Sequence, residues 1–199
     1  MYYFLITLAF LPLTILFPTI VIGRKNLIKG KCIVTANHRS NMDPVLVYLK
    51  ANRKMHFLAK KELFRKKFSA WVLKGLGCIS IDRENIDINA TKQALGVLKK
   101  NKTLGIFPQG TRSQQEDNFE IKNGVCMFAI KSKTPIVPIY IQKKPKLFIF
   151  NKMYIGEPFE LSQFYDQKLT KEILDEAGQI VIDKFNELKE KHTKKKETK

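Results

Sequence analysis

The fold of this chain is limited most by an alternation: short apolar runs rich in β-branched and aromatic residues take turns with longer segments of helical period. KCIVTA (31–36), MHFLA (55–59), CISI (78–81), TLGIF (103–107) and PIVPIYI (135–141) read as strands. Between them lie PVLVYLKAN from Pro44, KELFRKKFSAWVLKGL, INATKQALGVLKKN (88–101) and GVCMFAIKS (124–132), which read as helices. In the segment 88–101, Ala94, Leu95 and Leu98 share one face. KLFIF and KMYIG predict a terminal strand pair, and a last helix is expected over residues 170–191. Strands interleaved with helices bury their apolar surface as a mostly parallel central sheet flanked by helices, an α/β fold with sites at the strand ends. A length of 199 residues and a hydrophobic content of 44% suit one such domain and exclude a disordered chain.

Residues 1–23, MYYFLITLAFLPLTILFPTIVIG, contain no charged side chain. As a helix rising about 1.5 Å per residue, the segment barely crosses a hydrocarbon core of roughly 30 Å. Pro12 and Pro18 each remove a backbone donor and favour a kink. The expectation is an N-terminal hydrophobic, membrane-anchoring helical segment, either bent and monotopic or crossing once; a buried core helix is the other reading. A basic n-region and a small-residue cleavage site are both missing, which argues against a cleaved signal peptide. The basic GRKNLIKGK that follows favours a domain on the cytoplasmic face of the cell membrane. The expected organisation is an anchor over 1–23, one α/β domain over 24–191, and a lysine-rich, solubilising tail over 192–199.

Lys and Arg number 36 against 18 Asp and Glu, a formal charge of +18. Such an excess attracts polyanions: anionic lipid, nucleic acid, an acidic carrier protein or a phosphorylated substrate. Lys50, Arg53, Lys54, Lys60, Lys61, Arg65, Lys66 and Lys67 crowd a stretch that also holds Phe57, Phe64, Phe68 and Trp71. That pattern fits a domain resting on anionic lipid, or else a solvated helix face over a buried aromatic core. Cys32, Cys78 and Cys126 are far apart and set among apolar residues, as core thiols of a reducing compartment are. No His/Cys cluster has zinc spacing.

Two loops carry chemistry. In TANHRSNMDP (35–44), His38 lies just beyond the strand end. Pro44 is tolerated at the first helical position and keeps its predecessor out of the α region, so Asp43 is the expected helix N-cap. The loop can turn His38 back towards the Asp43 carboxylate. A His held this way is a candidate general base, because the acid fixes its tautomer and stabilises the imidazolium that forms. The alternative is a capping Asp beside a surface His. The second loop, FPQGTRS (107–113), follows a strand directly. Pro108 stops sheet pairing, Gly110 lets the backbone approach a ligand, and Thr111 and Arg112 offer donors. Arg112 suits a phosphate, which it can grip with two parallel hydrogen bonds. Arg83, just after CISI, emerges at the same edge if the sheet is parallel.

These blocks resemble those of a known family. NHRSNMD matches the NHxxxxD signature of the glycerolipid acyltransferases, and FPQGTRS is similar to their FPEGTRS block. GCISIDR resembles the intervening block ending in Arg, and IVPIYI the apolar block containing a proline. IGRKNLIKGKCIVTANHRS and FLAKKELF resemble the stretches beside the first block. The similarity covers roughly residues 20–142, and the subfamily it is most similar to is the 1-acylglycerol-3-phosphate acyltransferases in a short bacterial form.

The resemblance implies an enzyme that moves an acyl chain from a thioester, acyl-CoA or acyl carrier protein, to the free hydroxyl of a lysophosphatidate, giving phosphatidic acid. It implies His38 as general base and Asp43 as its orienting partner, with Arg83 and Arg112 holding the acceptor's phosphate. Gln109, Gly110 and Thr111 join the substrate site, and Lys60 or Lys61 with the amides around Gly110 face the oxyanion. Asn37 and Ser40 shape the loop through side-chain to backbone hydrogen bonds. No cofactor or metal is implied; the partners are an anionic bilayer, a lysophospholipid and the acyl donor, with no nucleic acid. Gln109 departs from the family's usual Glu: it keeps hydrogen bonding and loses the charge, which leaves the acceptor open to another lysophospholipid or an ornithine-type lipid. The rival from another class is a basic, membrane-tethered binding protein, which leaves the His–Asp loop unexplained. A hydrolase needs a GxSxG nucleophile or a metal-spaced ligand set, and the sequence has neither.

Overall fold

The structure, a computed structural model, describes residues 11–51, 53–82, 85, 87–108 and 124–193. Seven strands form one sheet in the order β1-β7-β6-β2-β5-β3-β4. They are β1 (Thr19–Ile22), β2 (Cys32–Ala36), β3 (Met55–Lys60), β4 (Ile79–Ile81), β5 (Thr103–Ile106), β6 (Ile136–Ile141) and β7 (Asn151–Ile155). Among the described residues, a helical stretch over 11–16 precedes the sheet, and α1 (Asp43–Lys50), α2 (Lys67–Gly75), α3 (Ile88–Lys99), α4 (Gly124–Ser132) and α5 (Lys171–Thr193) accompany the strands. The block from β6 through β2, β5 and β3 to β4 is parallel throughout. β7 runs antiparallel to β6 and parallel to β1.

Side chains of a strand alternate between faces, and β2 divides its own this way. Ile33 joins Leu104, Ile106 and Ile136 on one face, packed by Ala94 and Leu98 of α3, Val125 and Ala129 of α4, and Ala177 and Val181 of α5. Cys32, Val34 and Ala36 point to the other face, with Met55, Val137, Ile139 and the α1 residues Leu46, Val47 and Tyr48. Both faces are covered, which is why the central strands are buried along their whole length and mostly apolar rather than alternating. The expected mostly parallel α/β sheet is present.

Three local expectations need correction. The helix read across 61–76 is a short 3-10 turn, Lys61–Phe64, followed by α2. The aromatics of the basic stretch divide: Phe57 of β3 is buried in the core, while Phe68 (77% exposed) and Trp71 (47%) of α2 stack on each other outside. KLFIF is not a strand; only Asn151–Ile155 pairs, and the residues before it form a turn. The apolar stretch ending at Gly23 is not one continuous helix either. Residues 11–16 are helical, and Thr19–Ile22 is an edge strand in register with Asn151–Tyr154. The β-branched run Thr-Ile-Val-Ile prefers extended backbone, and β7 supplies ladder partners that lipid cannot. Among the described residues no helix is long and apolar enough to cross a membrane. Cys32, Cys78 and Cys126 are free thiols; burial pushes Cys78 up to about 11 and Cys126 to about 12, as suits packed rather than reactive sulfurs.

Candidate active site

The parallel strands end together at one edge of the sheet, and β2 delivers the His38 loop there. Asn37 continues the pairing beyond the strand end by imitating backbone: its Nδ2 donates to the Ile141 carbonyl at 2.9 Å and its Oδ1 accepts from the Ile141 N–H at 2.7 Å. Arg39 Nε donates to the same carbonyl at 3.2 Å. The loop is thereby tied to the end of β6 on both sides of His38.

Asp43 closes it from the other end. The sequence reading puts Asp43 at the helix N-cap; instead Met42 is the cap and Asp43 is the first residue of α1, with Pro44 in the first turn. The carboxylate folds back over the loop, where Oδ2 accepts from the N–H of Arg39 and of Ser40, each at 2.5 Å. It serves those two amides, and not the first-turn amides of the helix, because the loop passes directly beneath it. Ser40 adds a turn of its own: Met42 N–H donates to its Oγ at 3.3 Å, and Asp43 N–H to its carbonyl at 3.0 Å.

The same Oδ2 lies 3.1 Å from His38 Nδ1. A carboxylate only accepts, so the proton of the neutral ring resides on Nδ1 and the lone pair on Nε2. Asp43 is fully buried and the His38 side chain is 15% exposed, so the acid is sealed while the ring reaches the surface. Asp43 Oδ1 has no hydrogen-bond partner among the described residues, so the acid's hydrogen bonds to them run through Oδ2. The imidazole rests on Phe107, ring centroids 4.7 Å apart, and Phe107 stacks on Phe57 at 5.7 Å. Phe57 in turn lies across Gly105, where a Cβ would come within 2.3 Å of its ring. The missing side chain of Gly105 makes room for the aromatic floor under His38.

The sequence-predicted residues divide as follows. His38 and Asp43 are brought together. Lys60 ends β3 at the same edge of the sheet, with Nζ 3.7 Å from Glu62 Oε2. Arg83, Gln109, Gly110, Thr111 and Arg112 lie outside the described residues; β4 and β5, which precede them, end at the His38 edge. Sequence reasoning missed Phe107 and Arg39 as parts of the site. Their adjacency to the motif residues Pro108 and His38 is the signal that could have found them. Among the described residues no group of His, Cys, Asp and Glu could hold a metal ion.

Residues 19–142, which carry this His–Asp loop, match the family model of the acyltransferases. The chain belongs to the acyltransferase family. It is 34% identical over 119 residues to the 1-acyl-sn-glycerol-3-phosphate acyltransferase of Bacillus subtilis, a match covering 55% of this chain and 57% of that protein. To the Borreliella burgdorferi protein of the same description it is 30% identical over 172 residues, covering 79% of this chain and 69% of the other. The crystal structure of the 1-acyl-sn-glycerophosphate (LPA) acyltransferase PlsC from Thermotoga maritima superposes with a TM-score of 0.65 at 27% identity. That superposition covers 86% of this acyltransferase-family chain and 72% of the other. The family match begins at Thr19, so it includes β1 as part of the domain.

Proposed function

We propose that this chain transfers an acyl group from a thioester to the free hydroxyl of 1-acylglycerol-3-phosphate, giving phosphatidic acid for phospholipid synthesis. The observation that carries the reading is the 3.1 Å contact between His38 Nδ1 and the sealed Asp43 carboxylate, in a chain of this family. With Nδ1–H committed to Asp43, Nε2 takes the acceptor's hydroxyl proton as that oxygen attacks the thioester carbonyl. The new C–O bond forms as the carbonyl electrons move onto oxygen. Collapse of the tetrahedral species breaks the C–S bond, and the imidazolium returns the proton to the departing thiolate. Asp43 lowers the cost of the transient imidazolium, and its buried charge needs no solvent rearrangement to do so.

In this reading Arg83 and Arg112 grip the acceptor's phosphate, Gln109, Gly110 and Thr111 line its site, and Lys60 and backbone amides face the oxyanion. The donor is acyl-CoA or acyl carrier protein; both are acidic and suit a chain of charge +18. The domain works at the cytoplasmic face of the cell membrane, against anionic lipid, with the exposed Phe68 and Trp71 and their neighbouring lysines as one contact. The apolar N-terminus keeps it there. Gln109 favours a second reading, an acceptor other than lysophosphatidate. The test is to incubate detergent-solubilised protein with labelled acyl donors and a panel of lysophospholipids. Lysophosphatidate is expected to be the best acceptor, and His38→Ala to lower turnover by about 100-fold or more. Turnover of that variant within about threefold of wild type removes His38 from the mechanism, since general-base losses are far larger.

A further inference from the structure

We propose that the turn Leu147-Phe148-Ile149-Phe150 is a bilayer-inserting tip that presses the His38 edge of the sheet onto anionic lipid. This rests on the membrane reading above and adds an element to it. All four side chains are exposed, at 53%, 71%, 55% and 71%. Single exposed apolar residues are ordinary on a protein surface, but four large ones in succession are not.

The turn is built to hold them out. A strand here would send alternate residues inward; Phe148 instead adopts a left-handed backbone, φ 57°, which a bulky side chain disfavours. Such a conformation persists when its surroundings over-determine it, and they do. The Asn151 side chain spans the base of the turn, with Oδ1 accepting from Lys146 N–H at 3.0 Å. Its Nδ2 lies within donating distance of the carbonyls of Ile149 (3.0 Å), Lys146 (3.2 Å) and Pro18 (3.3 Å). Phe148 N–H donates to the Leu16 carbonyl at 2.7 Å, which fastens the turn to the end of the 11–16 helix. That helix carries exposed Leu11 (66%) and Ile15 (61%).

Position and charge name the occupant. The turn joins β6 to β7, so it leaves the sheet at the end where Ile141 holds Asn37 and Arg39 beside His38. β1 runs parallel to β7 and therefore starts at that edge too, so residues 11–18 approach the sheet there. Lys143, Lys144, Lys146 and Lys152 are exposed around the tip, and no acidic residue occurs in residues 121–156. Apolar residues ringed by lysines fit an anionic bilayer, where the tip enters the acyl region and the ammonium groups meet lipid phosphates. A second copy of the chain fits badly, because it brings the same lysines against these.

The only Trp is Trp71, so Phe148→Trp in a Trp71→Phe background reports on the tip alone. With phosphatidylglycerol vesicles carrying brominated acyl chains, its emission is expected to shift to the blue and be quenched. The variant Phe148→Ser/Phe150→Ser is expected to partition to the same vesicles at least about tenfold more weakly, from the apolar area no longer buried. Its turnover of a detergent-dispersed acceptor should be unchanged. If wild type binds vesicles while the indole stays unquenched, the tip is not inserted and only this inference falls, even where the serine variant fails to fold. Serine-variant binding equal to wild type has the same consequence, as does a dimer in sedimentation that the variant dissolves without loss of vesicle binding. If wild type does not bind phosphatidylglycerol vesicles at all, the membrane reading falls with it.

Discussion

Replacing Asp43 by Asn isolates what the buried charge does. Asp43 is fully buried, and Oδ2 accepts from two loop amides and from His38 Nδ1. The Asn side chain has the same shape, and its amide oxygen can take the place of Oδ2 and keep all three donors. Its NH2 then fills the position of Oδ1, which has no partner among the described residues, so a buried donor is left unsatisfied at a cost of about 1–3 kcal/mol. Thermal stability should fall accordingly, with the fold intact. The catalytic loss comes from the missing charge next to the imidazolium. At an effective dielectric of about 20, unit charges about 4 Å apart attract by about 4 kcal/mol. If about half the proton has moved at the transition state, the loss is about 2 kcal/mol, or about 30-fold in kcat, with about 1,000-fold as the ceiling for full transfer. The assay is kcat with micellar lysophosphatidate and a labelled acyl donor, alongside circular dichroism. A folded Asn variant turning over within about threefold of wild type refutes the reasoning, because so small a change leaves no room for the charge.

Gln109→Glu is expected to retain activity, since in the proposed site this position acts through hydrogen bonding, which Glu keeps; loss of all turnover contradicts that. Gly105→Ala places a Cβ within 2.3 Å of Phe57, whose ring is held by Phe107 and Tyr48. Overpacking of this kind should cost about 1–3 kcal/mol and lower turnover by tilting the floor under His38; an unchanged melting temperature and kcat would count against it. His56 is shifted below its ordinary 6.5, chiefly by burial, with its contact to the Gly77 carbonyl (2.8 Å) opposing and Lys102 and Lys54 reinforcing. The unfolded chain therefore takes up this proton first, so stability is full above 6.5 and falls as the pH drops below it. Melting curves at neutral and mildly acidic pH should show a larger loss for wild type than for His56→Asn; equal losses refute the assignment.

Much of the fold was legible because its signals are local. β2 and β6 each announce themselves as a short, predominantly apolar run, and α4 spans the same nine residues read from its sequence. The His38–Asp43 pairing was legible for the same reason: five positions separate the two, and a loop that short keeps them near each other. Asp43 as an N-cap was the natural inference from Asp-Pro. It failed because the cap position is decided by which amides lie under the carboxylate, and that depends on how the loop is tied to β6. KLFIF misled because its composition is that of a strand. Asn151, by bonding across the turn and back to Pro18, sets a backbone that composition does not encode.

By itself the order of residues determined an alternating α/β chain, a mostly parallel sheet, and a histidine just beyond a strand end within reach of its acid. Tertiary structure alone decided that Thr19–Ile22 pairs with a strand some 130 positions later, so that the apolar stretch ending at Gly23 supplies the edge strand of the sheet. It alone brought Gly105, Phe57 and Phe107 into one stack beneath His38. The physical reason is range. Periodicity and short-loop closure act between neighbours and leave a mark in the sequence, whereas the choice among several equally apolar strands as partners is made by packing the whole sheet at once.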